Sequence, residues 1–357
     1  MSTLLAQTSY LVYTRFTMKN KKRIAINGFG RIGRLATRII LKKFPELEIV
    51  AINDLTSVDN LAYLFAHDST YRTYDGKVEA TKNHLVIDNL HKIKVFAEKD
   101  ATLLPWKELN IDIVLECTGF YLTRELASSH ITAGAKKVIL SAPAKSDDIK
   151  TVALGANINS NDISDYLEET ILSNASCTTN CIAPVLGVLQ EEFAIHSVFG
   201  LTNHAYTATQ PLQDGPTKKD FRDGRAGAIN LIPSKTGAAK AVELVLPDLK
   251  GKVNLSSLRV PVQVGSMVFV VAQLEESQTT SVEEINFAFE TAANTYLKGI
   301  LQYSETDLVS SDIIGNSHSV VFDSQLTEVM GNTVKLVIWC DNEWGYSNRL
   351  VELASMI

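Results

Sequence analysis

Arg23-Ile24-Ala25-Ile26-Asn27-Gly28-Phe29-Gly30-Arg31-Ile32-Gly33 is the stretch on which the fold turns. A short apolar run suited to a buried strand passes straight into Gly-x-Gly-x-x-Gly. Leu35, Ile39 and Ile40 then recur at helical spacing. A second apolar run, Leu47 to Asn53, leads to Asp54, 21 residues after Gly33. Strand, glycine turn, helix, strand and acid in this order mark a dinucleotide-binding unit. Gly28 would make the tight turn, Gly30 would admit a pyrophosphate to the backbone, and Gly33 would let helix and strand pack closely. The helix N-terminus would hold the phosphate charge. Asp54 would accept from ribose hydroxyls and repel a 2′-phosphate, which predicts NAD rather than NADP.

Moving outward, strand patterns recur at 84–87, 93–96 and 111–116. The last ends at Cys117-Thr118-Gly119, a strand-to-loop switch that would present Thr118 to a cofactor. Leu126 and Ile131 mark a helix, and another strand at 135–140 ends on Ser141-Ala142-Pro143. This alternation predicts an α/β fold with a Rossmann-type, doubly wound, mostly parallel sheet and ligand at the strands' C-terminal ends. Thr118 and Ser141 are equally readable as loop caps.

The second stretch with chemical content is Ser173-Asn174-Ala175-Ser176-Cys177-Thr178-Thr179-Asn180-Cys181. Ile182, Val185, Leu186, Leu189 and Phe193 follow at three- and four-residue spacing, placing Cys177 near a helix N-terminus. Unpaired N–H groups and the macrodipole favour negative charge there, so the thiol is expected to ionise readily and act as a nucleophile. A cysteine is otherwise a small buried hydrophobe, and Cys177 with Cys181 could be a disulfide or half a zinc site. Against zinc, Cys117 and Cys340 are isolated. A strand pattern over 196–204 ends on His204, which could take the thiol proton.

Residues 210–232 read as a loop with Pro211, Gly215, Pro216, Gly224 and Gly227, carrying Lys218, Lys219, Arg222 and Arg225. This is either a solvated charged loop or an anion-binding one. Ser234 to Lys240 starts a helix from Thr236 and Gly237, another possible phosphate cradle. Arg259 sits on a strand pattern, a rigid place for a bidentate phosphate contact. An apolar strand is expected at 266–274, an amphipathic helix at 281–300, a strand at 334–339, and a helix at the C-terminus.

The 357 residues predict two domains. A net charge of −6 argues against nucleic-acid binding, and four cysteines without paired spacing argue against a disulfide-built secreted fold. No apolar run approaches a membrane span. Residues 1–17 read as an N-terminal extension, disordered or upstream of a true start at Met18. Their Ser/Thr content, Arg15 and lack of acids are weakly transit-peptide-like.

Taken together, Asn27 to Arg34, Ala175 to Cys181, His204-Ala205-Tyr206-Thr207-Ala208-Thr209-Gln210, Ser234 to Lys240 and Asp341 to Asn348 resemble phosphorylating glyceraldehyde-3-phosphate dehydrogenase. The likeness runs in one order from about Lys22 to Ile357. It implies Cys177 as nucleophile and His204 as its activator. It implies NAD contacts at Arg31, Ile32, Asp54, Ser141 and Asn342 beside the three glycines, with Thr118 nearby and Lys99 a looser match. It implies phosphate ligands at Thr207, Thr209, Arg222 and Arg259. A pocket for glyceraldehyde 3-phosphate and inorganic phosphate would hold Ser176, Thr178, Thr236 and Gly237. The implied organisation is an NAD-binding domain of residues 18–176 and 340–357, and an α+β catalytic domain of 177–339 with a mixed, partly antiparallel sheet. The implied assembly is a cytoplasmic homotetramer without metal, nucleic acid or membrane. Erythrose-4-phosphate dehydrogenase is the sister alternative, and a surface-binding role a secondary one. Two departures stand out: Cys340 where the family usually has Tyr, and Gln263-Val264-Gly265-Ser266. Both are expected to lie clear of the chemistry, with Cys340 an extra oxidisable site.

Overall fold

The computed structural model describes residues 21–157, 163–217, 220–275 and 280–357. The expectations for residues 1–17, Met18, Lys218 and Lys219 lie outside the described residues.

The chain opens with β1 (Lys22–Asn27), α1 (Arg31–Lys43), β2 (Leu47–Asn53) and α2 (Val58–Ala66), as the glycine stretch predicts. A meander follows of β3 (Val78–Thr81), β4 (His84–Ile87) and β5 (His91–Phe96). Next come β6 (Ile113–Glu116), α3 (Arg124–Thr132), β7 (Lys137–Leu140), β8 (Lys150–Thr151) and β9 (Ile171–Ser173). They form one sheet in the order β3-β4-β5-β2-β1-β6-β7-β9-β8, parallel from β5 onward. Strand β1 shows why its sequence reads as continuously apolar. Ile24 and Ile26 enter one core with α1 and α2, whereas Ala25 faces another core built on Trp106 and α3. A strand covered on both faces has no polar side to alternate with.

The second sheet begins after α4 (Cys177–Phe193). It is built from β10 (Ile195–Ala205), β11 (Ile232–Ser234), β12 (Val253–Val260), β13 (Ser266–Leu274), β14 (Leu301–Ser304), β15 (Val320–Asp323), β16 (Glu328–Met330) and β17 (Thr333–Cys340). Its order is β11-β12-β10-β13-β17-β15-β14, with β16 beside β17. The sheet is mixed, because β10 and β12 run parallel while β10–β13 and β13–β17 run antiparallel. Ile182, Val185, Leu186 and Leu189 of α4 bury against Val198, Val268, Val270, Leu336 and Ile338. Each such side chain contributes about 1.5–3 kcal/mol, so the helix carrying Cys177 is firmly seated.

Helix α5 (Ala238–Val245) starts from Gly237, as expected. Helix α6 (Val282–Asn294) begins with a full capping box between Ser281 and Glu284 but ends before the expected 300. Thr295 leaves helical geometry, yet Leu297 and Ile300 stay buried, which explains why their apolar spacing looked helical. Helix α7 (Trp344–Met356) starts where the Asp341 carboxylate accepts from the Glu343 and Trp344 N–H groups. It returns to the first sheet: Leu350, Val351 and Leu353 share a core with Ile39 and Ile40, and Lys22 Nζ donates to Ser355 O at 2.7 Å. No helix among the described residues is long and apolar enough to cross a membrane.

Candidate active site

A cleft of about 500 Å³ opens at the C-terminal ends of β1, β2 and β6. Asn27, Gly28, Gly30, Asp54, Leu55, Lys99, Thr118 and Phe120 line it, so the structure brings five of the predicted cofactor residues together. Gly28 has φ +92°, and a Cβ there would lie 2.8 Å from the Cys117 carbonyl carbon. A Cβ on Gly33 would lie 2.3 Å from Gly28 O, whereas Gly30 faces open space. Helix α1 has no side-chain cap and no acid in its first turn, leaving its N–H groups to a ligand. Asp54 uses one oxygen on Phe29 N at 2.8 Å and the other on Thr56 N at 2.9 Å, which fixes the carboxylate at the cleft edge.

Arg31 stands at the start of α1 and bonds Glu343 and Asp68. Burial alone would lower its proton affinity, but the bonds to Glu343 and then Asp68 outweigh it and hold the cation. Ile32 packs on the core. The Ser141 hydroxyl bonds the Cys117 thiol, which burial pushes up to about 12.

Beneath the cleft runs a buried polar network that the sequence reading missed. Glu116, fully buried, accepts from Asn27 Nδ2 at 2.6 Å, His130 Nε2 at 3.1 Å and Thr118 N at 2.7 Å. It also accepts from the Thr118 hydroxyl. Trp106 Nε1 donates to His130 Nδ1 at 3.1 Å, and Asn53 Nδ2 to Asn27 Oδ1 at 2.7 Å. A polar residue at the end of each apolar strand was the available signal.

Ser176 caps α4, its Oγ accepting from Thr179 N at 3.0 Å, so Cys177 is the first helical residue. Ala175, buried, holds φ +54°, a left-handed conformation rare outside glycine, and Tyr346 OH donates to its carbonyl at 3.2 Å. Cys177 is half-buried, with Sγ 3.3 Å from His204 Nε2. His204 Nδ1 lies 2.6 Å from Ala205 O. The parallel register sets His204 beside Arg259, whose Nη1 lies 2.5 Å from the same Nδ1.

The expectation of a readily ionised thiol needs correction. Withdrawal from water pushes Cys177 up to about 11, and Cys340 adds to this. Arg259 and bonds from Thr178 act the other way and do not win. Burial, then the Arg259 charge, depresses His204 to about 4 against the Ala205 bond. Burial thus favours the uncharged form of each group taken singly.

The two departures also lie closer to the site than expected. Cys340 bonds the Cys181 thiol one helical turn below Cys177, where that bond, burial and the Cys181 charge push it well above the usual thiol range. Gly265 N donates to Asn342 Oδ1 at 3.1 Å and so orients that candidate contact.

A further cavity of about 970 Å³ is lined by Thr209, Gln210, Asp223, Ser234, Lys235 and Arg259. Buried Gln210 collects the candidate phosphate ligands: its Oε1 accepts from the hydroxyls of Thr207 at 3.2 Å and Thr209 at 3.1 Å. Gln210 and Asp223 went unremarked as site residues in the sequence. Thr236 Oγ1 accepts from Ala238 N at 3.1 Å at the start of α5, beside Gly237. Arg222 is not drawn in with Arg259: exposed, it pairs with Asp220 at 2.7 Å.

Comparison with known proteins follows this geometry. The profile described as "Glyceraldehyde 3-phosphate dehydrogenase, NAD binding domain" matches residues 22–124, and "Glyceraldehyde 3-phosphate dehydrogenase, C-terminal domain" matches 176–342. Among similar proteins, glyceraldehyde-3-phosphate dehydrogenase of Clostridium pasteurianum is 48% identical over 334 residues, 92% of this chain and 96% of that protein. The protein of the same name from Mycobacterium avium is 47% identical over 340 residues, 94% and 98% of the two. That of Kitasatospora aureofaciens is 48% identical over 335 residues, again 94% and 98%.

Proposed function

The chain belongs to the glyceraldehyde-3-phosphate dehydrogenase family, and on that premise we propose that it oxidises D-glyceraldehyde 3-phosphate with NAD and inorganic phosphate to 1,3-bisphosphoglycerate. The observation that carries the reading is the 3.3 Å approach of Cys177 Sγ to His204 Nε2 at the uncluttered start of a capped helix. Nε2 takes the thiol proton as Sγ attacks the aldehyde carbon, giving a thiohemiacetal. Backbone N–H groups at the start of α4 and the ring of His204 face the developing oxyanion. The imidazolium hands that proton to the oxyanion, and the neutral ring takes it back from the hydroxyl as hydride leaves the carbon and the thioester forms. NAD, when bound, supplies the hydride acceptor. Phosphate attack on the thioester carbon releases the acyl phosphate and returns the sulfur as thiolate.

The cleft beside Gly28 fits NAD: its helix end is uncapped, Gly28 and Gly33 admit no Cβ, and Asp54 is fixed at the rim. The glycine loop, Arg31, Ile32, Asp54, Lys99, Thr118, Ser141 and Asn342 would hold it. Arg259, Thr207 and Thr209 would bind the phosphate groups with Ser176, Thr178, Thr236 and Gly237. Arg222 would have to leave Asp220 to join them. The two sheets support a division into residues 18–176 with 340–357, and 177–339.

We read the assembly as a homotetramer in the cytoplasm. Supporting the tetramer, Leu212, Phe221, Ile229 and Leu231 of the 210–232 loop are all exposed in the single chain, an apolar surface that a neighbouring subunit would cover. Cys177→Ser tests the chemistry: NADH formation from glyceraldehyde 3-phosphate should vanish while NAD still binds. Full turnover by that variant would remove the covalent mechanism.

A further inference from the structure

The reaction uses one cysteine, and two others that it does not use lie directly beneath it. All are free thiols. Cys181 stands one turn after Cys177 on the stripe of α4 that continues through Val185 and Leu189, and it is fully buried. Leu336, Ile338 and Cys340 alternate on the face of β17 that shares a core with this stripe, whereas Val337 and Trp339 enter another core on the opposite face. Cys340 thereby meets the first turns of α4 and bonds the Cys181 thiol. The strand register sets the same level. Cys340 lies opposite Ser266 of β13, whose Oγ accepts from Ala205 N at 3.4 Å, next to His204. A half-buried sulfur at Cys177 is thus backed by two sulfurs that water does not reach.

We propose that Cys340 is a resolving thiol: it takes over a disulfide formed at Cys177 after attack by a peroxide, returns Cys177 to its reduced form, and stores the oxidation as a buried Cys181–Cys340 bond. Three steps balance. Hydrogen peroxide oxidises the Cys177 sulfur to a sulfenic acid and leaves as water. The Cys181 sulfur attacks that sulfenic sulfur, a second water leaves, and a Cys177–Cys181 bond forms. The Cys340 sulfur then attacks Cys181, the first bond breaks, and its electron pair stays on the Cys177 sulfur. The proton that Cys340 gives up ends on the Cys177–His204 pair. Two electrons have gone to peroxide, and one disulfide remains, away from the aldehyde site.

Three observations give the exchange its direction. Residues four apart on a helix hold their Cβ atoms about 5–6 Å apart, and a disulfide closes that span to roughly 3.5–4.5 Å. A Cys177–Cys181 bond therefore pulls on the first turn of α4 and is open to exchange. Cys177 is also the better leaving sulfur, because the Arg259 cation favours its charged form. Finally, the bond to Cys181 is the largest cause holding the proton on Cys340, ahead of burial. Oxidation of Cys181 removes that cause, so Cys340 becomes nucleophilic when there is a bond to resolve.

The test gives the reduced full chain an equimolar dose of hydrogen peroxide without added thiol, and quenches samples over time with iodoacetamide. Mass spectrometry of unreduced peptides, fragmented between Cys177 and Cys181, locates each label and each bond. In wild type, labelling of Cys177 should fall and then return severalfold, while a peptide joining Cys181 to Cys340 accumulates. In Cys340→Ser, and in Cys340→Ala as a second filling of the core, labelling of Cys177 should fall equally and stay lost until dithiothreitol is added. Oxidation that comes to rest on Cys177, or between Cys177 and Cys181, in wild type overturns the proposal, and this arm needs no variant to fold. So does recovery of Cys177 labelling in the variants at the wild-type rate. Labels and bonds are read without turnover, so the outcome does not depend on the catalytic role given to Cys177.

Discussion

Replacing Glu116 by glutamine tests whether the polar network under the candidate cofactor cleft runs in one direction. The direction is set at its far end. The Trp106 indole can only donate, so His130 Nδ1 is an acceptor and the ring proton sits on Nε2, facing Glu116. Asn27 cannot turn its amide over, because its oxygen already accepts from Asn53. Glu116 is thus ringed by donors: Asn27, His130 and two from Thr118. Glutamine offers one oxygen, which keeps Thr118, and an NH2 that faces the other two donors. Each buried polar group left unmatched costs about 1–3 kcal/mol. With some relaxation, Glu116→Gln should lose about 2–4 kcal/mol. Urea unfolding followed by circular dichroism reads this as a lower midpoint at unchanged slope. Because Asn27 and Thr118 line the cleft, KM for NAD should rise as well. A stability loss below about 0.5 kcal/mol would refute the one-way network.

Three further outcomes follow from the same geometry. Gly28→Ala should lose at least about 2 kcal/mol and NAD affinity together, because its φ is +92° and the new methyl meets Cys117 and Thr118 backbone at 2.8 Å; an unchanged melting temperature would contradict this. His204, lowered to about 4 when folded, makes stability fall as pH drops from the unfolded value near 6.5 toward 4, roughly 2 kcal/mol between pH 7 and 5; His204→Gln should flatten that slope, measured by unfolding at both pH values. Asp54→Ala should narrow the NAD-over-NADP ratio of kcat/KM at least about tenfold; an unchanged ratio would mean that the carboxylate fixed by Phe29 and Thr56 N–H does not choose the cofactor.

What could be read from residues alone was local. The apolar run of β1, the glycines and Asp54 announce themselves because strand, turn and helix have different periods, and α4 begins at the residue that Ser176 designates. What escaped was set by the third dimension. Gln210 serves the two threonines only because the chain doubles back at 207–210. Glu116 and His130 meet across 14 positions inside a core. The Cys177 thiol illustrates the same limit from another side. Its place at a helix start is visible in the sequence, but the loss of water that outweighs that field is not. Arg222 resembles a phosphate ligand, yet a neighbouring Asp220 satisfies it first.

The return of α7 to the first sheet has a consequence for biosynthesis. Lys22, at the first described strand, is held by the Ser355 carbonyl, 333 positions later. The nucleotide-binding half therefore cannot be completed on the ribosome while the catalytic half is still emerging. It must wait, with the Ile39 and Ile40 flank of α1 uncovered, until α7 has been translated. Nascent chains stalled short of Trp344 should expose that flank to chaperones, and removing α7 should damage the sheet that was made before it.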